Sequence, residues 1–273
     1  MPGAPDTRSA ISSSTDDQSA PPTANAGWPE PKHPVDKVRL RFRKSGTLRL
    51  LSHHDLMRTF ERLLRRSELP FHRSQGFHPK PRLIFALSLP LGVVGRAEVV
   101  ELELDQVLPL EDIHARLARQ TPPGLEILSV HRIHPKVNAQ VCRLAYALLV
   151  PAERLPELRQ RIAEVLAARE CWIDRHRPHS RQAGRRLDVR SFLVDLLFHE
   201  VCGSSESVIL EMLLRLTPSG TARPDEVLAL LGLEDLLDAG VVLERSRLEL
   251  HDELPEPPHP VPLSPASGER GTG

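Results

Sequence analysis

A chain of 273 residues with 36 Lys/Arg against 36 Asp/Glu is long enough for one large or two small domains, and its net charge of zero gives no global pull towards a polyanion. No stretch approaches the ~20 apolar residues of a membrane span, and no basic-then-apolar leader opens the chain, so a cytoplasmic protein is expected. The three cysteines, Cys142, Cys171 and Cys202, form no CxxC or zinc-type spacing; reduced thiols, no metal and no cofactor are expected.

The zero average hides an asymmetry. From Lys37 to Arg82 thirteen Lys/Arg face three acids, Asp55, Glu61 and Glu68, a net of +10. From Asp225 to Glu256 ten acids face Arg245 and Arg247. A basic half suits a polyanion, and an acidic end favours solubility.

Residues 1–36 are rich in Pro, Ser, Thr, Asp and Ala, and residues 253–273 in Pro, Gly and Ser; both read as disordered tails. In between, Val38, Leu40 and Phe42 alternate with Arg39, Arg41 and Arg43, the pattern of a strand with one buried face. Ser52 starts a helix, with Asp55 placed almost as in a capping box. Leu56, Phe60, Leu63 and Leu64 share one side of it, and Arg58, Arg62, Arg65 and Arg66 fall roughly 200° away. Pro70 stops it.

A loop to Pro81 leads into a strand at 82–87, a turn, a strand at 97–104, a helix at 110–120 and a strand at 125–133. The order is βαββαβ, a ferredoxin-like arrangement over residues 37–134. After a linker at 134–139 the order recurs over 140–252. It has a strand at 141–150, a helix at 155–168, a short strand at 171–175 and apolar runs at 187–198 and 208–216 fit for central strands. A helix at 224–230 and a last strand at 241–250 complete it. The run at 187–198 is also compatible with a helix. The expected fold is α+β: two ferredoxin-like domains in tandem between disordered tails.

The helix arginines offer planar forks suited to phosphate. The loop 71–82 adds Arg73, Lys80 and Arg82 for backbone phosphate. Phe77 and His78 would contact a base, Gln75 would read its edge, and Gly76 allows close backbone approach. Pro70, Pro79 and Pro81 stiffen this loop and lower the entropy lost on binding. The strand arginines Arg39, Arg41 and Arg43 fit either phosphate or cross-strand pairs with Glu101 and Glu103; the pairs are favoured. A second arginine-rich loop spans 175–190, with His176 and His179. His53, His54 and His78 are the catalytic candidates, as acid and base for 2′-hydroxyl attack, but capping or packing explains His53 and His54 more simply.

The stretch FRKSGTLRLLSHHDLMRTFERLLRRSELPFHRSQGFHPKPRLIFALSLPLGV resembles the radical-SAM-linked protein family, a domain of unknown function. The matching positions are Lys44, Gly46, Arg49, Leu51, Ser52, His53, Asp55, Leu56, Ser74, Gly76, Phe77, Pro79, Pro81, Pro90, Leu91 and Gly92. His78 stands where the family has asparagine, and Leu50 where it has phenylalanine. The resemblance implies a partner, a radical SAM protein that carries the iron–sulfur cluster this chain lacks the cysteines to hold. It implies a non-catalytic companion that binds or presents an RNA or other phosphate-rich substrate. A metal-independent endoribonuclease using His53 or His78, and a protein adaptor for the radical SAM partner, are the rival expectations.

Overall fold

The computed structural model describes residues 34–74, 79–175, 185–201 and 204–253. Most of the expected tails, and the loop residues Gln75, Gly76, Phe77 and His78, lie outside them, as do His176 and His179.

The elements run β1 (Asp36–Lys44), α1 (His53–Arg66), β2 (Leu83–Phe85), β3 (Val94–Leu104), α2 (Leu110–Ala118) and β4 (Leu125–Arg132). They continue as β5 (Val141–Pro151), α3 (Leu155–Ala167), β6 (Trp172–Arg175), β7 (Arg185–Asp188), β8 (Leu193–Val201) and β9 (Ser204–Arg215). The chain ends its ordered course in α4 (Pro224–Leu231), α5 (Glu234–Asp238) and β10 (Glu244–Leu250). Among the described residues eight strands form one mixed sheet in the order β4-β1-β3-β10-β5-β9-β8, with β2 also paired to β3, and β6 and β7 form a separate hairpin.

The two halves of the chain therefore share a sheet. The join is short: β10 runs parallel to the start of β3 through Glu244↔Val94 and Arg245↔Gly95. Further along, the residues Leu102 to Val100 of β3 pair with β2 instead. The described residues form two hydrophobic cores. Val100 belongs to the core under α1 and α2, whereas its neighbour Val99 belongs to the core with α3 and α4. Adjacent strand residues point to opposite faces, so the two helical layers cover opposite faces of the sheet.

The helix α1 forms as its residues dictate. Ser52 caps it, accepting from the Asp55 amide and donating its hydroxyl to the Asp55 carboxylate at 2.7 Å. Leu56, Phe60, Leu63 and Leu64 are all buried. Phe60 packs edge-on against Phe42 of β1 and Phe85 of β2, with ring centroids 4.9 and 5.4 Å away, which seats the helix on the sheet. Arg65 and Arg66 in the last turn complement the helix dipole. The helix closes at Ser67, and Glu68 takes a left-handed backbone at φ 53°.

Four expectations need correction. The run 187–198 is not one central strand: Asp188 accepts from the amides of Cys171 and Arg190, and Ser191 donates to the Asp188 carbonyl, so a turn divides it into β7 and β8. β8 lies at the edge of the sheet, not within it. Asp36, assigned to the N-terminal tail, is buried in β1 and held by Arg132 at 3.0 Å. Glu253, assigned to the C-terminal tail, pairs with Arg39 at 3.0 Å. In addition α5 follows α4 directly; Gly232, at φ 68°, terminates α4 as a left-handed C-cap and turns the chain into it.

Candidate anion-binding face

The first core places the outer face of α1 in solvent. Arg58, Arg62, Arg65 and Arg66 are all exposed. Arg58 reaches Asp55 at 3.5 Å, a contact of little strength at this exposure. Arg62 donates to the Arg58 carbonyl and Arg66 to the Gln120 carbonyl. Among the described residues neither Arg62 nor Arg65 has a carboxylate within ion-pair range.

The stem of the loop after α1 is built onto β3. Phe71 bridges to Leu104, the His72 amide donates to the Glu103 carbonyl, and the Asp105 amide donates to the Pro70 carbonyl. His72 is buried with Nδ1 2.6 Å from Asp105. The stem closes on itself through the Arg73–Pro81 bridge and the Ser74 amide, which donates to the Lys80 carbonyl at 2.9 Å. Arg73 and Lys80 thus project beside α1. Lys80 lies 3.7 Å from Glu61 of that helix, and Arg82 lies 3.2 Å from Glu103. Both cations assigned to phosphate therefore have an acid at hand, which leaves Arg62, Arg65 and Arg73 as the freer charges.

Arg65 and Arg73 meet at a concavity that the sequence did not disclose. A groove of about 490 Å³ is lined by Arg65, Arg73, Phe71, Gln106, Glu68 and Arg116. Arg116 comes from α2, and its guanidinium donates to the Glu68 carbonyl at 3.3 Å. Arg73 stacks over the Phe71 ring at 5.3 Å. Arg116 has no motif around it; only the packing of α2 beside the end of α1 brings it here.

Of the three strand arginines, Arg39 takes the expected partner on the third strand, whereas Arg41 and Arg43 pair with other carboxylates and Glu103 pairs with Arg82. Arg39 lies opposite Glu101 in the β1–β3 register, and its guanidinium donates to that carboxylate at 2.9 Å. Lys37 joins Glu101 at 2.8 Å, and the linker covers the pair as Lys37 donates to the Val137 carbonyl. Asp252 and Glu253, just past β10, fold back onto Arg39 at 2.9 and 3.0 Å, and Glu253 also pairs with Arg41. Burial alone would weaken the charge of Arg39, but hydrogen bonds to Asp252, Glu101 and Glu253 outweigh it and hold the group firmly protonated. Arg43 pairs with Glu126 at 2.7 Å.

A second buried ionic group sits at the join of the halves. Arg245, fully buried, donates to Glu98 through Nε at 2.8 Å and through Nη2, and its Nη1 reaches the Ser88 carbonyl. Buried Lys44 donates to the Leu51 carbonyl, and burial pulls its pKa below the ordinary lysine range. Of the candidate histidines, His53 lies beside this group, near Lys44, and His78 lies outside the described residues. His53 is half-buried with its ring edge-on to Phe85 at 5.3 Å; burial, with His54 and Lys44 nearby, lowers its pKa. The His54 ring is exposed, 6.2 Å from that of His53. Among the described residues no three His, Cys, Asp or Glu side chains group closely enough to hold a metal ion.

Comparison with known proteins adds a family. The model of an uncharacterized protein family conserved in bacteria, DUF2344, matches residues 37–224. The chain belongs to this family. The match carries no mention of radical SAM chemistry. Among solved structures, a chain of a Cbf5-Nop10-Gar1 complex is similar over 85% of this chain, at 13% identity and a TM-score of 0.41. The DUF2344 chain spans 56% of the length of that one. An unknown protein from Galdieria sulphuraria is similar over 79% of this chain and 98% of its own, at 15% identity and a TM-score of 0.24. No curated protein matches. Among the described residues no helix is long and apolar enough to cross a membrane.

Proposed function

We propose that this protein is a non-catalytic companion of a radical SAM enzyme and that it binds an RNA or other phosphate-rich substrate on the exposed face of α1. In this reading each half is a ferredoxin-like unit, and the two join where β10 of the second runs beside the start of β3 of the first. In support, the first half orders its strands β4-β1-β3-β2, and the second orders β10-β5-β9-β8, with α3 and α4 in the places of α1 and α2. The companion role draws on the sequence resemblance alone.

The observation that carries the binding role is the row of exposed arginines on α1 beside the stem that holds Arg73 and Lys80. Arg62 and Arg65 lack acidic partners among the described residues, and Arg offers phosphate a planar fork. By contrast Arg39, Arg41 and Arg43 are engaged by carboxylates and belong to the scaffold. Filter binding of a single-stranded RNA across a salt series tests the reading. Affinity should fall steeply with salt. Arg58→Ala, Arg62→Ala and Arg65→Ala each take one cation from the phosphates, so each should lower the log–log slope by about 0.7. Weak binding without salt dependence, unchanged in the three variants, would overturn it.

A further inference from the structure

The α1 ridge accounts for phosphate but gives no reason for the groove at its end. Backbone phosphate needs only a convex row of cations, whereas this groove pairs cations with an aromatic ring and an amide. We propose that the groove lined by Arg65, Arg73, Phe71, Gln106 and Arg116 is a subsite for one nucleotide of a single-stranded RNA, a reading that rests on the RNA-binding function proposed above.

Its parts divide by chemistry. Arg65 and Arg116 enter from different helices and are both exposed, so they can grip one phosphate from two sides. Arg73 lies over the half-buried Phe71 ring at 5.3 Å, and its guanidinium offers a face on which a base can stack. Exposed Gln106 supplies an amide with a donor and an acceptor, able to meet a base edge. The volume, about 490 Å³, is within the range of small-molecule sites, roughly 300–1,000 Å³. Phe71 is bridged to Leu104 at the end of β3, and Gln106 directly follows Asp105, whose amide donates to the Pro70 carbonyl, so both rise from the paired loop stem.

Glu68 is the one carboxylate among the described lining residues, and it holds a left-handed backbone at φ 53°. That conformation strains any residue but Gly, Asn or Asp. Its carbonyl accepts from Arg116 and so orients that guanidinium, while its carboxylate opposes an incoming phosphate. Glu68→Asn keeps the turn and removes the charge, which gives a variant expected to gain affinity.

The test is equilibrium binding of adenosine and uridine 5′-monophosphates, inorganic phosphate and a short single-stranded RNA to the full chain. Nucleotides should bind about tenfold or more tighter than phosphate, as expected of base stacking. Arg116→Ala should weaken nucleotide and RNA by about tenfold or more, and Glu68→Asn should strengthen both several-fold. Both positions are exposed and outside the cores, so circular dichroism should show folding unchanged. Equal affinity for phosphate and nucleotide would overturn the subsite. RNA binding that is lost in Arg62→Glu yet indifferent to Arg116→Ala and Gln106→Ala would overturn it too and leave the RNA-binding function intact. Nucleotide binding that depends on Arg116, with no affinity for RNA, would support the groove and overturn the RNA reading.

Discussion

The join between the two halves rests on few backbone pairs, so the side chains across it should dominate its stability. Arg245→Met tests this. Arg245 is fully buried and Glu98 is 2% exposed; Arg245 donates to Glu98 at 2.8 Å and to the Ser88 carbonyl at 3.2 Å. The substitution keeps most of the side-chain volume but leaves Glu98 as a buried charge, with Lys44 nearby as partial compensation. Removing one partner of such a pair costs about 3–5 kcal/mol. Glu98→Leu, which strands the guanidinium, should cost a similar amount. The double variant Glu98→Leu/Arg245→Met replaces both ions by apolar groups and should recover most of the loss, because the desolvation penalty of both charges disappears together. The assay is urea unfolding of the four proteins as a double-mutant cycle, with a coupling of about 2 kcal/mol or more expected. Single costs below about 1 kcal/mol, or additivity within about 0.5 kcal/mol, would refute the view that this ion pair fastens the halves.

Other outcomes follow from the same geometry. A methyl at Gly95 would meet Glu98 Cγ at 2.5 Å, so Gly95→Ala should destabilise by about 1–3 kcal/mol in urea unfolding, and much of that should vanish in a Glu98→Ala background. The Arg39 hydrogen bond holds Asp252 below the usual carboxylate range, so its stabilising contribution is complete above its unfolded pKa of about 3.9 and is lost as pH falls through the lowered folded value. Asp252→Asn should therefore flatten the loss of thermal stability below about pH 4; an unaltered acid limb would remove the C-terminal segment from the scaffold. The lowered pKa of His53 means the unfolded chain binds the proton more readily, so stability should decline as pH drops from about 6.5 to the folded value and level off below it. His53→Gln should remove that slope in denaturation measured between pH 7 and 5, whereas retention of the slope would assign it to another group.

Local chemistry made some of this legible in the chain. The four apolar residues of α1 recur at helical spacing, Ser52 is an ordinary N-cap, and the arginine side follows from the same wheel. The Arg39–Glu101 pair follows from placing the first and third strands side by side. What escaped reading depended on distance in sequence. Arg245 and Glu98 sit in strands whose alternating charges look like solvated faces, and their burial comes from a parallel pairing of residues about 150 apart. Arg116 reads as the polar side of a short amphipathic helix; its place in the groove is set by packing. The apolar run at 187–198 looked continuous because the turn inside it depends on the hydrogen bonds of Asp188 and not on glycine or proline.

Ultraviolet crosslinking of a 4-thiouridine-substituted single-stranded RNA, with the attached peptides mapped by mass spectrometry, locates the nucleic-acid surface without relying on any variant. Crosslinks should concentrate on peptides from 58–73 and the end of α2 around Arg116, and should fade as salt is raised. Crosslinks confined to the α3 and α4 side of the sheet, or to the β6–β7 hairpin, would contradict an α1-centred interface.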